Sequence, residues 1–169
     1  MIYNEIAIAN GNIFMHAFDI LYKRMNQGTF QLLQEQNNQN TLDASLIIPT
    51  CINGNFACEI FLKSLLPANL KDIRGKKGHN LNHLFNHNAM DKNTSNSIKQ
   101  KTVQKMKVHN SMYTNGDFDS DLQNNCLNFV EWRYFHEKTP KNSAGILFIN
   151  NFLKSISETI QEERLKTNT

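Results

Sequence analysis

The chain has 169 residues, 40% hydrophobic and 20% charged, with a formal net charge of +3; this suits a single folded domain and is too small a charge to imply a nucleic-acid partner by itself. No apolar run approaches the roughly 18 residues of a membrane-spanning helix, so no membrane association is expected. The start, MIYNEIAIANGNIFMHAF, lacks a basic secretory leader and is interrupted by Glu5, Asn10 and Asn12, and the odd set Cys51, Cys58 and Cys126 contains no CxxC, which reads as reduced, buried thiols of a cytoplasmic protein.

Residues 2–25 are predicted to be helical, with Ile2, Ile6, Ala9, Ile13, His16 and Ile20 on one stripe and Phe14, Phe18 and Leu21 beside it. A Gln/Asn-rich loop is expected over 26–41. Residues 41–66 are the most apolar segment. Pro49 is expected in the first turn of a helix that Pro67 stops, and its apolar residues, including Cys51, Ile52, Phe56, Cys58, Ile60, Phe61, Leu62 and Leu65, lie on most sides, as in a central helix. A basic loop over 68–78 leads to a short helix, HNLNHLFNH, with Leu81, Leu84 and Phe85 inward.

The segment 88–116 is expected to be a mobile, solvated stretch with a loosely held helix, because Ile98, Val103 and Met106 give only a thin stripe among five lysines. Ser120-Asp121-Leu122-Gln123 matches a capping box and predicts a helix from there to about Glu137, ended by Pro140. Ile146, Ile149, Leu153, Ile156 and Ile160 predict a last helix from near Ser143, with a frayed tail over 164–169. No strand alternation and no repeat is present. The expected fold is a single all-α domain over 1–169, an antiparallel bundle of about five helices.

The run NGNFACEIFLKSLL, Asn53–Leu66, followed by KKGHNLNHLF, Lys76–Phe85, resembles the HEPN (higher eukaryotes and prokaryotes nucleotide-binding) domains. Ala57, Glu59, Leu62, Lys63, Leu65 and Leu66 match a motif A-x-E-x-x-L-K-x-L-L; Gly78, His79, Leu81 and Leu84 match G-H-x-L-x-x-L; and Phe129–Glu137 is similar to a later bacterial F-V-x-W-R-Y-x-Y-E helix. The resemblance spans roughly residues 45–165. It implies a helical bundle, often a homodimer, in many members a metal-independent endoribonuclease of toxin–antitoxin or phage-defence systems, in others a non-catalytic module that binds a protein partner or a nucleotide. The nuclease members carry Arg, four to six residues, then His in the late helix. Here only two residues separate Arg133 from His136. Arg74 and His79 have the spacing, but Arg74 falls in a loop and His79 already fills the G-H position, so this match is read as chance.

Arg133, His136 and Glu137 share a helical face at i, i+3 and i+4. If RNA is cut, Arg133 is expected to hold the phosphate and His136 to move a proton, with Glu137 and Tyr134 in support; the plainer alternative is an ion pair closing a core helix. Glu59 and Lys63, at i, i+4 on an apolar helix, are expected to form a half-buried pair, the alternative being a polar patch facing the same cleft as Arg133; Glu59, Lys63 and His79 are polar support for that site, and His79 is otherwise expected to cap the short helix or pack under the loop. His79, His83 and His87 at i, i+4, i+8 are a weak metal alternative; no cofactor is expected. Asp117, Asp119 and Asp121 lack the Gly and Glu of a calcium loop and are read as helix-start acids. Lys71, Arg74, Lys76, Lys77 and the lysines of 92–107 have no interleaved aromatics and read as a solvated face.

Overall fold

A computed structural model describes residues 4–34, 42–67, 69–70, 75–126 and 145–167. Among them are six α-helices and no strand: α1 (Glu5–Gln34), α2 (Leu42–Ser64), α3 (Leu81–Phe85), α4 (Lys92–Lys107), α5 (Asn115–Asn124) and α6 (Ile146–Thr167), with a 3₁₀ turn over Gly75–His79. The all-α bundle expected from the hydrophobic periodicity is what forms.

Glycines set how closely the long helices approach. A Cβ on Gly11 would lie 2.6 Å from the Phe61 ring, and one on Gly54 would lie 2.7 Å from Phe18 and 2.8 Å from Ile149. Gly11 against Phe61, Phe14 edge-on to Phe56 at 4.6 Å, and Gly54 against Phe18 make α1 and α2 antiparallel. Glu5 bonded to Arg164, at the opposite end from the meeting of Phe18 and Ile149 at Gly54, sets α6 antiparallel to α1 as well.

This packing overturns the expected face of α1. Ile6, Ile13 and Ile20 are 76%, 65% and 55% exposed. Ile8 and Phe18 are buried instead, with Phe14, Met15 and Tyr22 packed against the core. The side bearing Gly11 is the one that lets two backbones close, and it outcompetes the richer isoleucine stripe. The helix also runs through residues 26–34, part of the expected loop; Gln and Leu are the commonest residues there and favour helix.

In α2, Pro49 lies well inside the helix and not in its first turn. The turns around it carry side-chain bonds: the Thr50 hydroxyl donates to Leu46 O at 2.6 Å and the Asn53 amide to Pro49 O at 2.7 Å. The helix is buried nearly all round, as its composition predicts. On α6 the stripe Ile149, Leu153, Ile156 and Ile160 is fully inside. At about 1.5–3 kcal/mol for each such side chain, that stripe outweighs any propensity effect along the helix. Phe85 of α3, Phe118 of α5 and Phe148 and Phe152 of α6 form one aromatic cluster, with ring centroids 5.4–5.8 Å apart.

Three further elements differ from expectation. The capping box that forms is Thr114 with Asp117, and α5 ends at Asn124, where the Asn125 N–H closes back on Asp121 O at 3.0 Å. Ser120–Gln123 therefore lies inside a helix; the expected stretch beyond Cys126 lies outside the described residues. The helix α4 is a packed element whose Ile98, Thr102, Val103 and Met106 are buried, not a loosely held one. The last helix continues to Thr167, through most of the expected frayed tail.

Two tests follow from this packing. Gly54→Ala should lower the free energy of unfolding by about 1–3 kcal/mol in urea titrations, because the added methyl must displace a buried ring and a buried isoleucine. The second concerns pH. Backbone and side-chain bonds from Thr94 hold Asp91 below the ordinary carboxylate range, and bonds from Thr114 do the same for Asp117. A depressed folded-state pKa contributes stability that is present above the unfolded value and is lost as pH falls through the folded one. Asp91→Asn with Asp117→Asn should therefore flatten the acid limb of the stability–pH curve below about pH 4.

Candidate functional site

On α2, Glu59 stands among Ala57, Cys58, Phe61 and Leu62, all buried, and its own side chain is only 2% exposed. An ionised carboxylate at that depth needs partners. One helical turn on, Lys63 Nζ donates to Glu59 Oε1 at 2.7 Å. The second partner comes from 20 residues away: His79 Nδ1 lies 3.2 Å from Oε1 and 3.1 Å from Oε2. Sequence reading supplied the pair and named His79 only as support for the Arg133 site. Of the two places expected for His79, the cap of the short helix is not the one it takes. Asn80 is the cap, its side chain accepting from the His83 N–H at 2.8 Å.

Local structure explains how His79 reaches α2. The 3₁₀ turn delivers it, and α3 is then fixed by the Leu81 N–H donating to Cys126 O at 2.9 Å, next to the end of α5. Leu81, Leu84 and Phe85 are buried as predicted. The two motifs quoted separately in the sequence thus converge on one carboxylate. The cluster is asymmetric toward solvent: the His79 side chain is 38% exposed and that of Lys63 29%, over an acid that is closed off. With Nδ1–H directed at the carboxylate, the basic lone pair of a neutral ring resides on Nε2. Chemically, the arrangement offers an oriented imidazole beside an ammonium group, suited to proton transfer near an anion.

The other candidates separate. Arg133, Tyr134, His136 and Glu137, and also Arg74, lie outside the described residues. The histidine stripe does not converge on a common point. His79 turns to Glu59, while His83 and His87 stack edge to face at 5.7 Å and His87 Nδ1 accepts the Ala89 N–H at 3.0 Å. Among the described residues no three His, Cys, Asp or Glu side chains gather as metal ligands. The three aspartates are each engaged locally: Asp117 in the capping box, Asp119 with Lys99 at 2.7 Å, and Asp121 as acceptor for the Tyr113 hydroxyl at 2.7 Å. Burial, helped by that bond, pushes the Tyr113 phenol well up. Three of the five lysines of α4 are paired across to neighbouring helices: Lys99 with Asp119 as above, Lys101 2.6 Å from Glu162, and Lys105 2.9 Å from Glu158. Burial pushes the Cys51 thiol up to about 12 and Cys58 higher still, so neither is a nucleophile.

Sequence reasoning missed the long-range Glu59–His79 contact. The available signal was that a carboxylate on an all-round apolar helix needs more than one partner. Compared with protein-family models, with curated proteins and with solved structures, the chain matches none.

The burial pattern orders a set of variants. Lys63→Met leaves a closed-off carboxylate short of a donor and should cost about 1–3 kcal/mol. Glu59→Met removes the buried charge and leaves two basic groups that reach water, so it should change stability by less than about 1 kcal/mol. Urea midpoints of the two variants, read against wild type, check the order.

Proposed function

We propose that this chain is a HEPN-like helical protein acting on RNA as a metal-independent endoribonuclease, in toxin–antitoxin or phage-defence biology, with Glu59, His79 and Lys63 as part of its site. The observation that supports the reading is the convergence of the two HEPN-like motifs: a buried carboxylate orients a half-exposed imidazole and a half-exposed ammonium side by side. RNA cleavage without a metal needs a proton acceptor for the 2′-hydroxyl, positive charge at the phosphate, and a proton for the departing 5′-oxygen. In this reading His79 Nε2 takes the 2′ proton as the 2′-oxygen bonds to phosphorus. Lys63 supplies positive charge at the phosphate; Arg133 is assigned to the phosphate as well, and His136 to the leaving group's proton as the P–O5′ bond breaks. The products are a 2′,3′-cyclic phosphate and a 5′-hydroxyl. Glu59 acts through His79, as a positioning residue, and Glu137 and Tyr134 support the late-helix pair.

A second reading is a non-catalytic HEPN-like module that binds a protein partner or nucleotide. One observation favours it: Glu59 is so closed off and so fully bonded that the cluster also serves as a clamp between α2 and the 3₁₀ turn.

Cleavage of a mixed-sequence RNA by purified protein in EDTA separates the two. Wild type should cut and leave cyclic-phosphate ends. His79→Asn should lose about 10²–10⁴-fold in rate with its unfolding midpoint retained, and Arg133→Ala with His136→Ala should abolish cutting. Absence of cleavage by the wild type, or equal cleavage by all three proteins, overturns the nuclease reading and leaves the binding module.

A further inference from the structure

The exposed stripe of α1 goes beyond that reading and is independent of it. Ile6, Ile13 and Ile20 recur every seven residues, and Ala9, His16 and Lys23 recur with the same spacing between them. All six positions face solvent, the isoleucines at 76%, 65% and 55%. Spacing by sevens is the pattern of a helix seam that meets another helix along its length. Three large aliphatic side chains in one line on a helix whose opposite side is already packed make a surface with one missing neighbour.

The stripe itself indicates which neighbour fits. Its isoleucines alternate with a small residue, an imidazole and a lysine, so a parallel copy in register would set Lys23 against Lys23 and Ala9 against Ala9. An antiparallel copy sets Ile20 against Ala9, Ile13 against His16, and Ile6 against the aliphatic stem of Lys23. Charge selects the same arrangement. The stripe carries Glu5 at one end, bonded to Arg164 of its own chain yet 61% exposed, and exposed Lys23 and Arg24 at the other, and neither Lys23 nor Arg24 has an ion pair among the described residues. Antiparallel packing brings opposite signs together at both ends and opposes the two helix dipoles.

We propose that α1 pairs with α1 of a second copy of this chain, antiparallel about the point midway between Ile13 and His16, forming an isologous two-fold interface. From Ile6 to Lys23 the seam is about 26 Å long and a helix about 10 Å wide, or roughly 260 Å² on each copy. A standard interface takes about 800 Å² from each partner, so this dimer is a weak one, with a dissociation constant on the order of 10–100 µM.

The test is sedimentation velocity of the full chain from about 1 to 500 µM, a range that brackets that constant. Wild type should pass from monomer to dimer. Ile13→Lys, at an exposed position, should keep the wild-type circular dichroism and unfolding midpoint while raising the dissociation constant about tenfold or more. Orientation is read by oxidative cross-linking of Ile6→Cys protein mixed with Lys23→Cys protein, since the native thiols Cys51, Cys58 and Cys126 are buried. The mixture should give the 6-to-23 linked species, and neither variant alone should cross-link. A chain monomeric at every concentration overturns the proposal. A dimer indifferent to Ile13→Lys, or one that links 6 to 6 and 23 to 23, overturns it equally.

Discussion

A carboxylate placed in the middle of an apolar helix constrains much of what surrounds it. Glu59 is 2% exposed, and an unpaired charge there would cost several kcal/mol, comparable to the whole stability of a small domain. Its partners are therefore obligatory. Lys63 must fold back along α2, and the segment after α2 must return so that His79 reaches the same two oxygens. Once His79 is fixed, α3 starts at a fixed point, and the bond from the Leu81 N–H to Cys126 O ties that point to the end of α5. The Phe85 ring then meets Phe118 and Phe152. A polar requirement on one helix thus helps to register three others, which apolar burial, being non-directional, does not do alone.

The elements legible in the sequence were those whose apolar pattern had one solution. The stripe of α6 names its own inward face, α2 is apolar on most sides and has to be central, and Leu81, Leu84 and Phe85 leave α3 little choice. The helix α1 was misread because it carries two usable faces. Ile6, Ile13 and Ile20 form the more hydrophobic one; Ile8, Gly11 and Phe18 form the one that packs. Hydropathy favours the first. Close approach favours the second, since a glycine lets the Phe61 ring sit where a Cβ would be. A glycine that lowers helix propensity is, at this position, the residue that selects the face.

The candidate site was half legible for a related reason. Spacing of four on a helix reveals Glu59 with Lys63, because both lie on one element. No periodicity links them to His79, since that contact crosses a loop and a 3₁₀ turn. The same limit applies to α4. Its lysines look like a solvated cationic face when the acids nearby in sequence are counted, and none lies between Asp91 and Asp117. In space, Asp119, Glu158 and Glu162 come from α5 and α6 to meet them. Pairs of this exposed kind contribute only about 0.2–1 kcal/mol each, so their effect is less on stability than on the electrostatic surface. They neutralise the stretch that would otherwise be the most attractive to a phosphate backbone.

That neutralisation changes where an anion would go. With Lys99, Lys101 and Lys105 each held by a carboxylate on a neighbouring helix, α4 presents little uncompensated charge over the length they span. At Lys63 and His79 the compensating acid is a single buried group shared between two basic ones, so protonation of the imidazole leaves the cluster with one net positive charge. A buried ion cluster is a weak source of net stability, because desolvation cancels most of the attraction, and an apolar side chain of the same volume would hold α2 nearly as well. What Glu59 supplies that an apolar residue cannot is direction: it fixes which ring nitrogen of His79 carries the proton and holds an ammonium group next to it. Glu59 thus fixes polar geometry that an apolar side chain of the same volume would leave undefined.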